Sequence, residues 1–356
     1  MTFSDRKALA DAFRLFAEIE CHGSSLLYEQ LSYSVAADEE MLSLAAHASQ
    51  GQPVPNLLFA AAQFLLFQDQ PSDLSRFYPN LAATVERADQ AFPAFREFCL
   101  QNQAGMIHLL ETRRVQTNEV RRCSYLMLAF SVVDRIAKGR PLALIEIGCS
   151  AGLNLMWEHY GYRYDRLGSF GNKGWPVQLD CHLRGGKLPP SPDRLPKVVS
   201  KTGIDINPLD VNDPDDVLWL RALVWPEHAE RARLLDNAIE IAKQNPPRLV
   251  AGDGIDLLPG LLEQLTGDLV VCVFHTHTLN QVSPAVRGKL SECLSENAHS
   301  REHLFHVSGE WLSRPYPMLE LTAWEQGRRS HHILANCDPH GGWIEWLDGS
   351  DFDTVI

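Results

Sequence analysis

The stretch Leu144-Ile145-Glu146-Ile147-Gly148-Cys149-Ser150-Ala151-Gly152-Leu153-Asn154-Leu155 restricts the fold of this chain more than any other. An apolar run of strand length carries an acid, turns through two glycines four positions apart, and enters a new apolar pattern. A strand that passes through such a turn into a helix belongs to the grammar of α/β sheets. There, backbone N–H groups and a helix N-terminus face the mouth of the sheet, a geometry that binds a polar small molecule.

The chain on either side of this segment differs in character. The first 140 residues read as helix after helix: Leu9, Phe13 and Phe16 recur at i, i+4, i+7, Leu57 to Phe67 is a second run, and Leu81 to Leu100 a third, interrupted by Pro93. A longer helical pattern from Ala104 to Ala137 stops at Lys138-Gly139-Arg140-Pro141, which marks a domain boundary. Beyond it, short apolar runs at Leu142 to Ile147, Val198 to Ile206, Arg248 to Ala251, Leu269 to Phe274 and His303 to Ser308 alternate with helical patterns at 217–224, 229–243, 257–265 and 285–296. The expectation is a helical domain over residues 1–140 and an α/β domain over 141–356, its sheet mostly parallel with helices on both faces. Residues 160–196, rich in Gly, Pro and aromatics, read as an insertion hanging near the sheet mouth as a lid, with Tyr162 to Tyr164 in a hairpin against Val177 to Leu183. The tail from His331 to Leu347 reads as a closing pair of strands.

Charge narrows the partners. With 32 Lys and Arg against 45 Asp and Glu, the net charge of -13 repels a polyanion, so no nucleic acid is expected. Eight cysteines contain no C-x-x-C pair, which argues for free thiols rather than a zinc ribbon or a thioredoxin-type site. The opening residues lack the apolar core of a signal peptide, and the run Leu57 to Phe67 is shorter than the roughly 18 residues of a membrane span. A cytoplasmic protein with a small-molecule substrate, and no membrane partner, is expected.

Three chemistries compete for the glycine turn. A dinucleotide turn, G-x-G-x-x-G, would need glycine where Ser150 and Leu153 stand. A nucleophile elbow, G-x-S-x-G, matches Gly148-Cys149-Ser150-Ala151-Gly152 letter for letter and would make Ser150 the nucleophile of a serine hydrolase, completed by a downstream Asp and His. Such a sheet, however, ordinarily has several strands before its nucleophile, and here the preceding residues read as helical.

The third reading is a resemblance. Glu146-Ile147-Gly148-Cys149-Ser150-Ala151-Gly152 resembles the first motif, E/D-x-G-x-G-x-G, of class I S-adenosylmethionine-dependent methyltransferases, with Ser150 at its middle glycine. Later segments follow in the order the resemblance implies. In Thr202-Gly203-Ile204-Asp205-Ile206, Asp205 resembles the acid that bonds both ribose hydroxyls, a task suited to a carboxylate. In Ala251-Gly252-Asp253-Gly254-Ile255, Asp253 looks like the receiver of the adenine amino group, with Ile255 against the ring. The resemblance thus implies a Rossmann-like methyltransferase fold behind an all-helical N-terminal domain. It also implies S-adenosylmethionine held by Glu146, Gly148, Ser150, Gly152, Asp205, Asp253 and Ile255, and methyl transfer to a small or medium polar acceptor. The gap from Gly148 to Asp205 is nearly twice the roughly 30 residues of a bare strand-helix-strand step, an excess the insertion explains.

His275 and His277 follow the fourth strand, where this family keeps catalytic or substrate-facing residues. At i and i+2 on an extended segment they would point the same way, as acid/base groups rather than metal ligands. Asn118, Glu119 and Arg122, in a polar break of the long helical pattern, are the substrate-binding candidates. The segments Thr117-Asn118-Glu119-Val120-Arg121-Arg122 and Ser150-Ala151-Gly152-Leu153-Asn154-Leu155 also make nearly the whole chain resemble a bacterial family known as a domain of unknown function. That resemblance leaves a non-catalytic nucleotide-binding or interaction module as a further alternative.

Overall fold

The apolar spacing of the first hundred residues is realised as helices in a computed structural model, which describes residues 3–68, 72–192, 194–265, 269–312 and 314–349. These are α1 (Phe3–Leu15), α2 (Leu26–Val35), α3 (Glu39–Ala45), α4 (Val54–Phe67), α5 (Phe92–Gln101) and α6 (Gln103–Thr112). Pro93 does not interrupt a helix over 81–100. It sits in the first turn of α5, where a missing N–H costs nothing, and the chain before it is irregular. The long pattern over 104–137 is likewise broken. Residues 113–119 leave the helix, a 3-10 turn Val120–Arg122 follows, and α7 (Cys123–Ile136) starts afresh. Glu119 caps that turn by accepting the Arg121 N–H at 3.2 Å.

The chain divides into two units, one of Met1–Thr117 with Asp213–Arg233, the other of Asn118–Asn212 with Leu234–Ile356. The boundary therefore differs from a single cut near residue 140: α7 belongs to the second unit, while α8 (Pro214–Ala222) belongs to the first. In the first unit, the returning segment completes the helical core. Trp225 packs on Phe16 and Tyr28, and buried Gln63 donates to the carbonyls of Ala222 and Val224 at 2.9 and 2.7 Å. The Glu227 carboxylate accepts from Ser25 Oγ and from the Leu27 N–H at the start of α2.

The second unit is α/β. Its strands are β1 (Leu142–Ile147), β2 (Gly161–Tyr164), β3 (Gly168–Phe170), β4 (Gln178–Arg184), β5 (Val198–Asp205), β6 (Arg248–Ala251), β7 (Val270–Thr276), β8 (His303–Glu310), β9 (Met318–Glu325), β10 (Arg328–Cys337) and β11 (Trp343–Trp346). They form one mixed sheet in the order β3-β2-β4-β11-β10-β9-β8-β7-β1-β5-β6. The block β6-β5-β1-β7-β8 is parallel throughout, and its connections run through α9 (Ala229–Gln244), α10 (Gly254–Gln264) and α11 (Pro284–Ala298). β8 to β11 then meander antiparallel.

Every β1 residue is buried because helices cover both faces of this block. On one face Ala143, Ile145, Val271, Val273 and Leu304 meet Leu258 and Leu262 of α10 and Leu290 and Leu294 of α11. On the other, Phe274 and Trp157 pack on Phe130 of α7. α7 is apolar on nearly all sides, CSYLMLAFSVVDRI, and is buried accordingly.

Tyr162 to Tyr164 does not form the expected hairpin with Val177 to Leu183. β2 pairs with β4 in parallel and with β3 antiparallel, and these strands extend the sheet beyond β11. Tyr160, Tyr162 and Tyr164 explain the choice, since their hydroxyls donate to the carbonyls of Leu153, Trp157 and Ser124 and pin the segment down. The tail contributes β10 and β11, and β9 joins them unforeseen. Among the described residues, no helix is long and apolar enough to cross a membrane.

Candidate functional site at the carboxyl edge

β1 ends at Ile147, and the turn beyond it needs left-handed backbone at three places: Gly148 (φ 74°), Ser150 (φ 51°) and Gly152 (φ 72°). Glycine is required at 148 for space as well, because a Cβ there would lie 2.3 Å from Thr278 Oγ1. The turn is tied to the end of the neighbouring parallel strand. The Gly148 N–H donates to the Ile204 carbonyl at 2.8 Å, and the Ser150 N–H donates to Asp205 Oδ2 at 2.8 Å. Asp205 Oδ1 accepts the Asn207 N–H at 2.9 Å. Gly148, Ser150, Gly152 and Asp205 are therefore brought together, with the carboxylate gripping backbone on both sides.

Glu146 points to the face that carries α7. Asn154 donates to its Oε1 at 3.3 Å, while Oε2 is buried without a hydrogen-bond partner, and burial pushes its carboxyl well above the usual carboxylate range. Asn118 joins the same neighbourhood by accepting the Leu153 N–H at 2.9 Å.

Asp253 and Ile255 stand at the end of β6. The Asp253 carboxylate caps α10, accepting N–H bonds from Ile255 at 2.8 Å and from Asp256 at 3.4 Å. Ile255 packs against the core shared with α10 and α11. Gly254 is held close to β1, since a Cβ there would approach Ile147 Cγ2 to 2.7 Å.

His275 and His277 have Glu310 as a common neighbour but otherwise stand in different surroundings, and His277 holds a left-handed backbone (φ 52°). His275 is wholly buried: its Nδ1 meets Glu310 Oε1 at 2.7 Å and its Nε2 meets His306 Nε2 at 2.8 Å. Burial alone would raise the Glu310 carboxyl, yet the hydrogen bond and charge of His275 and the N–H groups of the loop outweigh it and hold the group low. Glu310 also accepts the Thr278 and Asn280 N–H groups at 3.0 and 3.2 Å, so it fixes the loop that follows β7. Burial, then the His275 beside it, pushes His306 well below the ordinary histidine value.

His277 lies instead among Arg122, Glu310, His340 and Glu119. Its backbone N–H donates to the Gly309 carbonyl at 3.0 Å, and its Nε2 is buried without a partner. Burial, and next the Arg122 charge, pushes it down to about 3, so the ring is neutral at ordinary pH. Arg122 is 9% exposed and donates through Nε to the Pro339 carbonyl at 3.1 Å. Glu119 meets His340 Nδ1 at 3.4 Å, and Ser124 donates to the Gly341 carbonyl at 2.8 Å, which docks the segment from Asn118 onto the turn between β10 and β11. One turn along from Arg122, the Tyr125 hydroxyl is buried without a partner beside Gly309.

The carboxyl edge thus assembles Asn118, Glu119, Arg122, Glu146, Asp205 and His277 around the glycine turn and leaves His275 in the support behind it. Reading from the sequence missed Tyr125, Glu310, His306 and Thr278. His340 reaches Glu119 because a turn between two strands, more than two hundred residues on, returns it there. Among the described residues, no group of three His, Cys, Asp or Glu side chains is placed to hold a metal ion.

No curated protein and no solved structure matches the chain. Residues 10–346, which take in every side chain of this edge, match a family described as uncharacterized protein conserved in bacteria (DUF2332), and the chain belongs to that family.

Proposed function

We propose that the protein is a methyltransferase that uses S-adenosylmethionine and acts on a small or medium polar acceptor, on a Rossmann-like methyltransferase fold. The observation that carries this reading is the parallel block β6-β5-β1-β7-β8. Counted along the chain it has the order 3-2-1-4-5, with the glycine turn at the point where the order reverses. In open α/β sheets of that order, ligands bind beyond the carboxyl ends of the strands at the reversal. The next two strands deliver Asp205 and Asp253 to the same edge.

The side chains present fit such a cofactor. A carboxylate offers about four acceptor sites, so the grip of Asp205 on two amides is compatible with accepting ribose hydroxyls too. Glu146 Oε2 is a buried polar atom without a partner beside the turn, and a bound polar cofactor would satisfy it, while the unpartnered Tyr125 OH and His277 Nε2 stand toward the acceptor's side. Glu146, Gly148, Ser150 and Gly152 would hold the amino-acid part, Asp205 the ribose, and Asp253 with Ile255 the base. The cofactor supplies an electrophilic methyl group. The protein's part is alignment and exclusion of water, with His277, neutral and beside the turn, placed to accept a proton from the acceptor. Eight buried, unbridged thiols suit the reducing cytoplasm.

One observation favours the hydrolase reading: Ser150 has the left-handed backbone of a strained elbow. Against it, His275 is committed to Glu310 and His306 and the bare Nε2 of His277 touches no hydroxyl, so neither acts as base toward Ser150. Calorimetric titration with S-adenosylmethionine and S-adenosylhomocysteine, beside fluorophosphonate labelling, separates the two. Micromolar binding without label is expected; a labelled Ser150 without binding would sink the methyltransferase.

A further inference from the structure

Arg122 poses a charge problem that the chain does not solve. Arg122 is 9% exposed, and among the described residues no carboxylate lies within 4.0 Å of it. None of the acids nearby forms an ion pair with it. Glu119 meets His340 and the Arg121 N–H, Glu310 is bound by His275 and loop amides, and burial pushes the Glu146 carboxyl well above the usual carboxylate range. His277 contributes no negative charge and His340 stands close by. A buried cation is costly without a counter-ion, so a persistent one next to partnerless polar atoms marks where an anion is bound.

The surroundings select the kind of anion. Arg122 presents a planar fork matched to a carboxylate, and Tyr125, one helical turn along, offers a hydroxyl that has no partner inside the protein. His277 Nε2 is equally unpartnered, and its strained backbone aims the ring at this group of residues rather than at His275. No second unpaired cation of the kind a phosphate dianion would call for lies among Arg122, Tyr125 and His277.

We propose that the methyl acceptor is a small carboxylic acid whose carboxylate is bound by Arg122 and hydrogen-bonded by the Tyr125 hydroxyl, with His277 beside it as the base. The inference rests on reading this edge as the substrate mouth of a methyltransferase. It gives Tyr125 a binding role and names the acceptor class.

The test uses the full-length protein and a panel of monocarboxylates from acetate to phenylacetate, with inorganic phosphate as the control. Binding is followed by thermal shift and calorimetry, and S-adenosylhomocysteine is titrated in parallel. The expected result is saturable carboxylate binding that weakens at least about tenfold in Arg122→Gln and about three- to tenfold in Tyr125→Phe, while S-adenosylhomocysteine affinity stays within about twofold. Tyr125→Phe guards against a folding artefact, because the hydroxyl it removes bonds nothing within the protein. Carboxylate binding that is absent, or unchanged in both variants, overturns the proposal. So does phosphate binding in place of carboxylate, or an Arg122→Gln variant that loses S-adenosylhomocysteine instead. If wild type binds carboxylates through Arg122 but no S-adenosylhomocysteine, the anion site stands and the methyltransferase reading falls.

Discussion

Ser150 holds a left-handed backbone conformation that an L-residue adopts at a cost of about 1 kcal/mol, and it does so while 4% exposed. The reason lies in its N–H, which must face Asp205. Ser150→Gly should therefore stabilise the protein by about 1 kcal/mol in urea unfolding and leave cofactor affinity intact or improved; a loss of stability would mean that the hydroxyl is needed where it stands. His277 gives a pH signature at the same scale. Unfolded, it takes up a proton near 6.5, but folded only near 3. The unfolded chain binds more protons across that window, so stability falls as the pH drops from about 6.5 toward 3, by at most about 1.4 kcal/mol per pH unit from this group. His306, also depressed, adds in the same direction. His277→Asn should flatten the dependence of urea midpoint on pH, and an unaltered slope would show that the ring is protonated in the folded state.

At the scale of elements, the loop after β7 is held by the next strand along the chain. Glu310 on β8 receives His275 and the amides of Thr278 and Asn280, and Thr278 in turn fills the space against Gly148. Glu310→Gln should cost about 2 kcal/mol by spoiling charge-assisted bonds, and hydrogen exchange should speed up at Thr278 and Asn280 ahead of the rest of the sheet. Gly148→Ala should cost about 2 kcal/mol or more, since its Cβ meets Thr278 and its φ is positive. These elements were only partly legible in advance. The strands of the parallel block announce themselves as short apolar runs, and β2 and β4 are legible as strands, but their parallel pairing is not, because the tyrosine hydroxyls that hold β2 reach carbonyls on other elements.

For the whole molecule, the return of residues Asp213–Arg233 to the helical unit has an energetic consequence. Trp225, Glu227 and the carbonyls that receive Gln63 all come from that segment. A fragment ending at Thr117 lacks them, and its buried aromatics and Gln63 lose their partners. Such a fragment should lack near-ultraviolet dichroism and bind a hydrophobic dye, whereas addition of a peptide spanning Asp213–Arg233 should restore part of the signal. A cooperatively folded fragment would show that the returning segment only decorates the core.

The sequence by itself determined the local periods: helices first, an α/β pattern after residue 140, and a glycine turn at the end of the first parallel strand with acids at the ends of the next two. These are written in spacing of apolar residues and in the left-handed geometry that glycine admits. Only the tertiary structure decided which unit α7 and α8 join, that residues 160–196 extend the sheet, that His275 and His277 part company, and that His340 meets Glu119. Each of those depends on pairing and burial between residues far apart in the chain. Arg122 belongs to both levels: its place in a polar break was visible in the sequence, but its want of a counter-ion appears only when the neighbouring acids are seen to form no ion pair with it.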